Sequence, residues 1–309
     1  MQSSSADFPY RSYLAPRYWL TWLGIGLLWL LSRLPYQGQL AVGRGIGSTA
    51  ARLMPSRRRV TEINLELAIP ELAAGKREQL VRQVYHHVGM SIAEAATMWF
   101  RPLDWFDHHF TIEGLEHLTD AQARGKGVIL LQAHFTLIEA VAAVMGSRVN
   151  MSAVVDAPKN ELIGALLKHH RERYVTETIE NHNIRRMVRR LRNNEIVWYS
   201  PDLYVPPTSG GIPTRYFGVP VLTTDGIARI AKLTGATLVP YMPTRLNYQG
   251  DCKLEFFPAL PAPDLDDLTA TTQQMNDLFE AQIRQQPEQY FWLHKRFKPP
   301  AADLKNPYR

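Results

Sequence analysis

Residues 127–140, GVILLQAHFTLIEA, run an apolar, β-branched stretch straight into a stretch of helix formers. VILLQ reads as a short buried strand and FTLIEAVAAVM as a helix. The alternation then recurs. Strand 151–155 precedes helix 160–173, helix 184–195 precedes strand 196–200, and helix 225–234 precedes strand 237–243. A strand at 253–257 and a final helix at 266–286 close the pattern. Strands alternating with helices predict an α/β fold, a mostly parallel central sheet flanked by helices, over residues 113–309.

Where the first strand meets its helix stands His134, and five residues on comes Glu139. Inside one helix, side chains five apart point about 140° away from each other. Only a histidine just outside the helix can meet the acid. A carboxylate bonded to one ring nitrogen fixes the tautomer and leaves the other nitrogen to take a proton, which is what a general base for a hydroxyl requires. The pair alone equally suits an ordinary core or surface contact.

The 309 residues carry a formal charge of +6, so an anionic partner is expected: lipid head groups, an acidic protein or nucleic acid. No helix-turn-helix, zinc or aromatic strand-binding pattern supports nucleic acid. A single cysteine, Cys252, excludes a disulfide framework and a cysteine zinc site. GRGIG at 43–47 lies outside any strand–turn–helix context, so it is a weak dinucleotide match. Residues 17–36, RYWLTWLGIGLLWLLSRLPY, are apolar and Trp-rich between arginines. They fall short of the roughly 20 apolar residues that cross a bilayer, and their edges suit the head-group zone. Residues 1–36 are therefore read as a tail and membrane anchor, either a short span or an embedded helix; a buried helix of the soluble core is the alternative. Residues 37–112 read as a helical, membrane-proximal segment in which Arg57, Arg58 and Arg59 can meet anionic lipid or plain solvent.

Several motifs then occur in a fixed order: the apolar anchor, NLELAIPEL at 64–72, the His134–Glu139 pair, EIVWYSPD at 195–202, the long stretch from YFGVPV to PYMPTR at 216–245, and PEQYFWLHKRFK at 287–298. As a set covering nearly the whole chain, they resemble the lipid A biosynthesis acyltransferases, most like the lauroyl-type members, within the glycerol-phosphate and lysophospholipid acyltransferase fold. The resemblance implies transfer of a fatty acyl chain from acyl carrier protein to a hydroxyl of a phosphorylated, Kdo-bearing lipid A precursor. It places the reaction at the cytoplasmic face of a bacterial inner membrane, without metal or redox cofactor.

It also implies roles. His134 is the general base and Glu139 its orienter. Arg171 and Arg173 are oxyanion donors or phosphate clamps, with a solvated helix face as the alternative. Asp202 lies near the cleft as a substrate-binding or oxyanion residue, and Arg245 faces the anionic lipid. Arg185, Arg186, Arg189 and Arg190, with Arg192, lie on a basic helix that either docks the acidic carrier protein or is merely solvated. The chain departs from the family pattern at Tyr204, where a second Asp is usual, and at KNEL, 159–162. Those departures keep open a related acyltransferase for a lysophospholipid or an amino-acid lipid. A non-catalytic membrane protein that binds anionic lipid is the reading from outside the enzymes.

Overall fold

The computed structural model describes residues 8–102, 104–156, 158–262, 267–301 and 304–309. Its centre is a seven-stranded sheet in the order β1-β9-β8-β2-β5-β3-β4. The strands are β1 (Phe110–Glu113), β2 (Val128–Leu131), β3 (Met151–Val155), β4 (Glu177–Glu180), β5 (Ile196–Tyr199), β8 (Thr237–Arg245) and β9 (Cys252–Phe256). Every neighbouring pair is parallel except β8 with β9. Parallel strands need crossovers and are covered on both faces, which is why β2 is apolar at every position and buried throughout.

The period of two sorts β2 between the layers. Val128 and Leu130 join the hydrophobic cluster that holds Leu40, Met90 and Val144. Ile129 and Leu131 join the opposite cluster, with Leu65, Tyr85, Phe279 and Trp292. Each cluster takes residues from the amino-terminal helices and from the sheet.

Those helices are α1 (Trp19–Leu31), α2 (Tyr36–Leu53), α3 (Pro55–Ala68) and α4 (Ala74–Phe100). The α2–α4 seam explains GRGIG. A Cβ on Gly43 would sit 2.8 Å from the Gly89 carbonyl oxygen, and one on Gly47 1.9 Å from that of Tyr85. The glycines let two helix backbones touch, and no phosphate loop exists there. Among the described residues no helix is long and apolar enough to cross a membrane. The 13 residues of α1 rise about 20 Å, against the roughly 30 Å of a hydrocarbon core. Its outer face is nonetheless bare and apolar at Trp19, Leu20, Leu23, Leu27 and Leu30, with Leu20 80% exposed.

The remaining helices follow the sheet: α5 (Leu115–Ala123), α6 (Ile138–Gly146), α7 (Glu161–Arg171), α8 (Ile184–Arg192), α9 (Gly226–Thr234) and α10 (Leu268–Gln285). Several features were not anticipated. The edge strands β1 and β4 are short and half exposed, so their FTIE and ETIE carry little apolar signal. An antiparallel hairpin, β6 (Gly211–Tyr216) and β7 (Val219–Thr224), interrupts the crossover after β5. Its two turn residues, Phe217 and Gly218, both take positive φ, 52° and 72°, the conformation a tight hairpin needs. A phenylalanine there carries no sequence cue for it.

Candidate active site

Because β2 and β5 are parallel neighbours with Leu131 opposite Tyr199, the chains leave the same end of the sheet side by side. Three residues beyond each strand stand His134 and Asp202. Their side chains meet: His134 Nδ1 lies 2.6 Å from Asp202 Oδ1. The His134 amide donates to Asp202 Oδ2 at 3.0 Å, and the Tyr290 hydroxyl donates to the same oxygen at 2.8 Å. Asp202 is wholly buried, whereas 26% of the His134 side chain remains accessible. With Nδ1–H given to the carboxylate, Nε2 is the ring nitrogen free to accept a proton.

Main-chain bonds fix the turn itself. Thr136 N donates to the Gln289 carbonyl (2.8 Å), and Phe291 N donates to the His134 carbonyl (2.9 Å). From below, Arg245 donates to Thr136 Oγ1 at 2.7 Å and to the Thr136 carbonyl at 3.2 Å.

The electrostatics follow the geometry. Burial opposes charge on His134, but the Asp202 charge and hydrogen bond outweigh it and hold the imidazole above its ordinary value. Burial likewise opposes charge on Asp202, yet His134 and Tyr290 pull its carboxyl down to about 2. Folding stability depends on pH accordingly. The Asp202 contribution is present above the ordinary carboxylate range and lost as pH falls toward about 2. The His134 contribution is full below the free imidazole value and lost as pH rises through the elevated one.

His134 opens into a cleft of about 610 Å³. Ile138, Ala153, Val155, Trp198 and Leu203 give it apolar walls; Asp156, Arg171 and His294 supply the polar ones. Tyr204, the departure from the family pattern, lines it under the Lys298 ammonium, 4.5 Å above its ring. Among the described residues no group of three or more His, Cys, Asp or Glu side chains is placed to hold a metal ion.

Several expected placements change. Glu139 does not meet His134. It is the second residue of α6 and forms a two-pronged ion pair with Arg171, whose Nε reaches Oε2 at 3.3 Å and whose Nη2 bonds Oε1. Burial opposes the Arg171 charge, and the Glu139 carboxylate more than restores it. Asp202, expected near the cleft as a substrate or oxyanion residue, is instead the carboxylate behind the histidine; a buried anion cannot stabilise a second one.

Arg173 is outside the cleft, donating to the carbonyls of Met98 (3.3 Å), Trp99 (2.8 Å) and Arg101 (3.3 Å) at the end of α4. Arg245 faces no lipid. It is buried, ion-paired with Glu94 and hydrogen-bonded to His87 Nδ1 at 3.1 Å. Burial, helped by Arg245, pushes His87 down to about 2, so it is neutral. Of the basic helix, Arg186 and Arg190 are tied to Glu177, and Arg190 also to Glu195. Arg185, Arg189 and Arg192 are the exposed members.

Glu94, Thr136, Gln289 and Tyr290 were missed as site residues. The PEQYFWLHKRFK motif held two of them, but nothing in it says which side chain turns inward.

Over residues 9–299 the chain matches the family model of bacterial lipid A biosynthesis acyltransferases. It is 36% identical to a lipid A biosynthesis lauroyltransferase of Escherichia coli (strain K12), over 92% of this chain and 93% of that one. It is 34% identical to the palmitoleoyltransferase of the same organism, over 93% and 94%. To the myristoyltransferase it is 26% identical, over 97% and 93%.

Proposed function

The chain belongs to the bacterial lipid A biosynthesis acyltransferases, and on that premise we propose that it moves a fatty acyl chain from acyl carrier protein to a hydroxyl of a phosphorylated, Kdo-bearing lipid A precursor. One observation carries the mechanism: the accessible His134 ring is backed by the buried Asp202 at 2.6 Å and opens on the apolar cleft.

In the proposed reaction the acceptor hydroxyl oxygen attacks the thioester carbonyl carbon while its proton passes to His134 Nε2. Asp202 balances the imidazolium that forms. The C–S bond then breaks, and the same proton goes to the departing thiolate. Such base catalysis is worth about 10²–10⁴-fold. Arg171, held on the cleft wall by Glu139, is the cation for the oxyanion, with the first amides of α6 beside it. No metal or redox group enters these steps.

The same reading assigns partners. Arg185, Arg189 and Arg192 form the surface for the acidic carrier protein. The bare apolar face of α1 lies in the cytoplasmic leaflet of a bacterial inner membrane as an embedded helix.

The test is acyl transfer by purified protein in detergent. Lauroyl, myristoyl and palmitoyl carrier-protein donors are offered to a Kdo-bearing tetra-acyl precursor, with products weighed by mass spectrometry. The expected result is a gain of one acyl chain, lost in His134→Ala. Folded protein that acylates a lysophospholipid and leaves the precursor untouched would overturn the acceptor assignment.

A further inference from the structure

Behind the His134–Asp202 pair lies a second layer of buried polar groups that the acyl-transfer steps do not use. Tyr290 donates to Asp202 Oδ2. Arg296 is buried as well, its guanidinium 4.8 Å from the centre of the Tyr216 ring. Arg296 donates to the Leu222 carbonyl and to Thr223 Oγ1, both at 2.6 Å. Among the described residues it forms no ion pair with a carboxylate, and its Nε has no hydrogen-bond partner. A buried guanidinium without a carboxylate is costly: burial pushes Arg296 below its ordinary value, opposed by Tyr216, Tyr290 and the buried Asp202 anion.

That anion has a difficulty of its own. Before the reaction His134 must be neutral, so Asp202 is then a buried charge without a cationic partner in contact. If the whole of its field fell on His134, the imidazole would hold its proton too tightly to serve as a base. We propose that Tyr290 and Arg296 are positioning residues that act through Asp202: the Tyr290 hydroxyl holds Oδ2 so that Oδ1 is aimed at His134 Nδ1, and the Arg296 guanidinium takes up part of the carboxylate's charge, leaving His134 deprotonated and ready. The inference rests on His134 being the base. The other groups bearing on His134 are Asp156 beyond β3, Arg171 on α7 with Glu139 on α6, and His294, itself influenced by Arg57 on α3. None of these touches Asp202 Oδ2.

Tyr290→Phe removes one oxygen and keeps the ring, so it tests the first half. With a donor gone, Asp202 binds the imidazolium more strongly, and His134 titrates at a higher pH than in the wild type. The first readout needs no turnover: carbethoxylation of His134 by diethyl pyrocarbonate, which attacks only the neutral ring, followed by peptide mass spectrometry across pH. The expected midpoint moves upward in Tyr290→Phe and in Arg296→Met. In Arg296→Lys, which keeps the charge, it stays near wild type whatever happens to the melting temperature. The second readout is transfer. The acid limb of kcat should move the same way, with kcat at neutral pH down about tenfold, a fraction of what base catalysis supplies, and KM for both substrates unchanged because neither residue lines the cleft.

Lower melting temperatures with an unmoved His134 midpoint would leave both residues merely structural and overturn the inference. A midpoint that moves in Arg296→Lys as far as in Arg296→Met would overturn the counter-charge. Absence of transfer by the wild type, with the carbethoxylation shifts intact, would sink the proposed reaction and spare this arrangement.

Discussion

The turn at His134 and the basic helix α8 both read as runs of functional charge, yet the structure treats them differently. At the turn the buried polar groups are held from several sides. Asp202 accepts three hydrogen bonds, and Arg245, paired with Glu94, braces Thr136 beneath it. On α8, Arg186 and Arg190 fold back on Glu177, while Arg185, Arg189 and Arg192 stand in water. Buried partners cannot be replaced by solvent, and surface ones can. Charge at the turn therefore fixes geometry and proton affinity, and charge on α8 serves encounter with a partner only on the proposed reading.

The sharpest break of that contrast is at the dyad. His134→Ala should cost about 10²–10⁴-fold in kcat at unchanged fold, measured by transfer kinetics and circular dichroism. A loss under threefold would place the chemistry elsewhere. Next in size is Arg245→Met, which strands Glu94 in the core. Removing one member of a buried pair costs about 3–5 kcal/mol, to be read by denaturant unfolding. A cost of the size seen at surface pairs would mean that Glu94 finds water.

The pH dependence sharpens the comparison further. Activity should fall as pH drops through a midpoint above that of free imidazole, because Asp202 overcomes burial at His134. In Asp202→Asn burial becomes the leading influence on His134, with Asp156 opposing it and Arg171 adding to it, so the limb moves to lower pH while the plateau collapses. An unmoved limb would remove Asp202 from the mechanism.

The smallest effect belongs to α8. Arg185→Ala with Arg189→Ala should raise KM for the carrier protein a few-fold at low salt and not at high salt, since exposed charges are screened beyond about 10 Å at 0.1 M. kcat should stay the same. A salt-independent rise would point to shape, not charge.

Much of the fold was legible. The apolar runs at 128–131, 151–155 and 196–199 are buried strands because a parallel sheet covered on both faces demands continuous β-branched and apolar residues. ETIE of β4 was not, since an edge strand can be half polar and still pair. At the site, His134 was found through its place between a strand and a helix, but its partner was assigned from proximity in sequence. Glu139 was the near acid, yet α6 begins only at Ile138 and turns that carboxylate to Arg171.

The sequence by itself determined the layer plan, the family and the place of His134 between a strand and a helix, because hydrophobic period and motif order are written along one chain. It could not decide which acid backs His134, which arginines are buried, or which cations remain free. Those follow from the alignment of β2 with β5, which brings residues 68 positions apart to 2.6 Å. They follow equally from the packing of α4 under the turn, which encloses Arg245 with Glu94 across 151 positions. Contacts of that span are set by register and burial, and neither is a property of neighbouring residues.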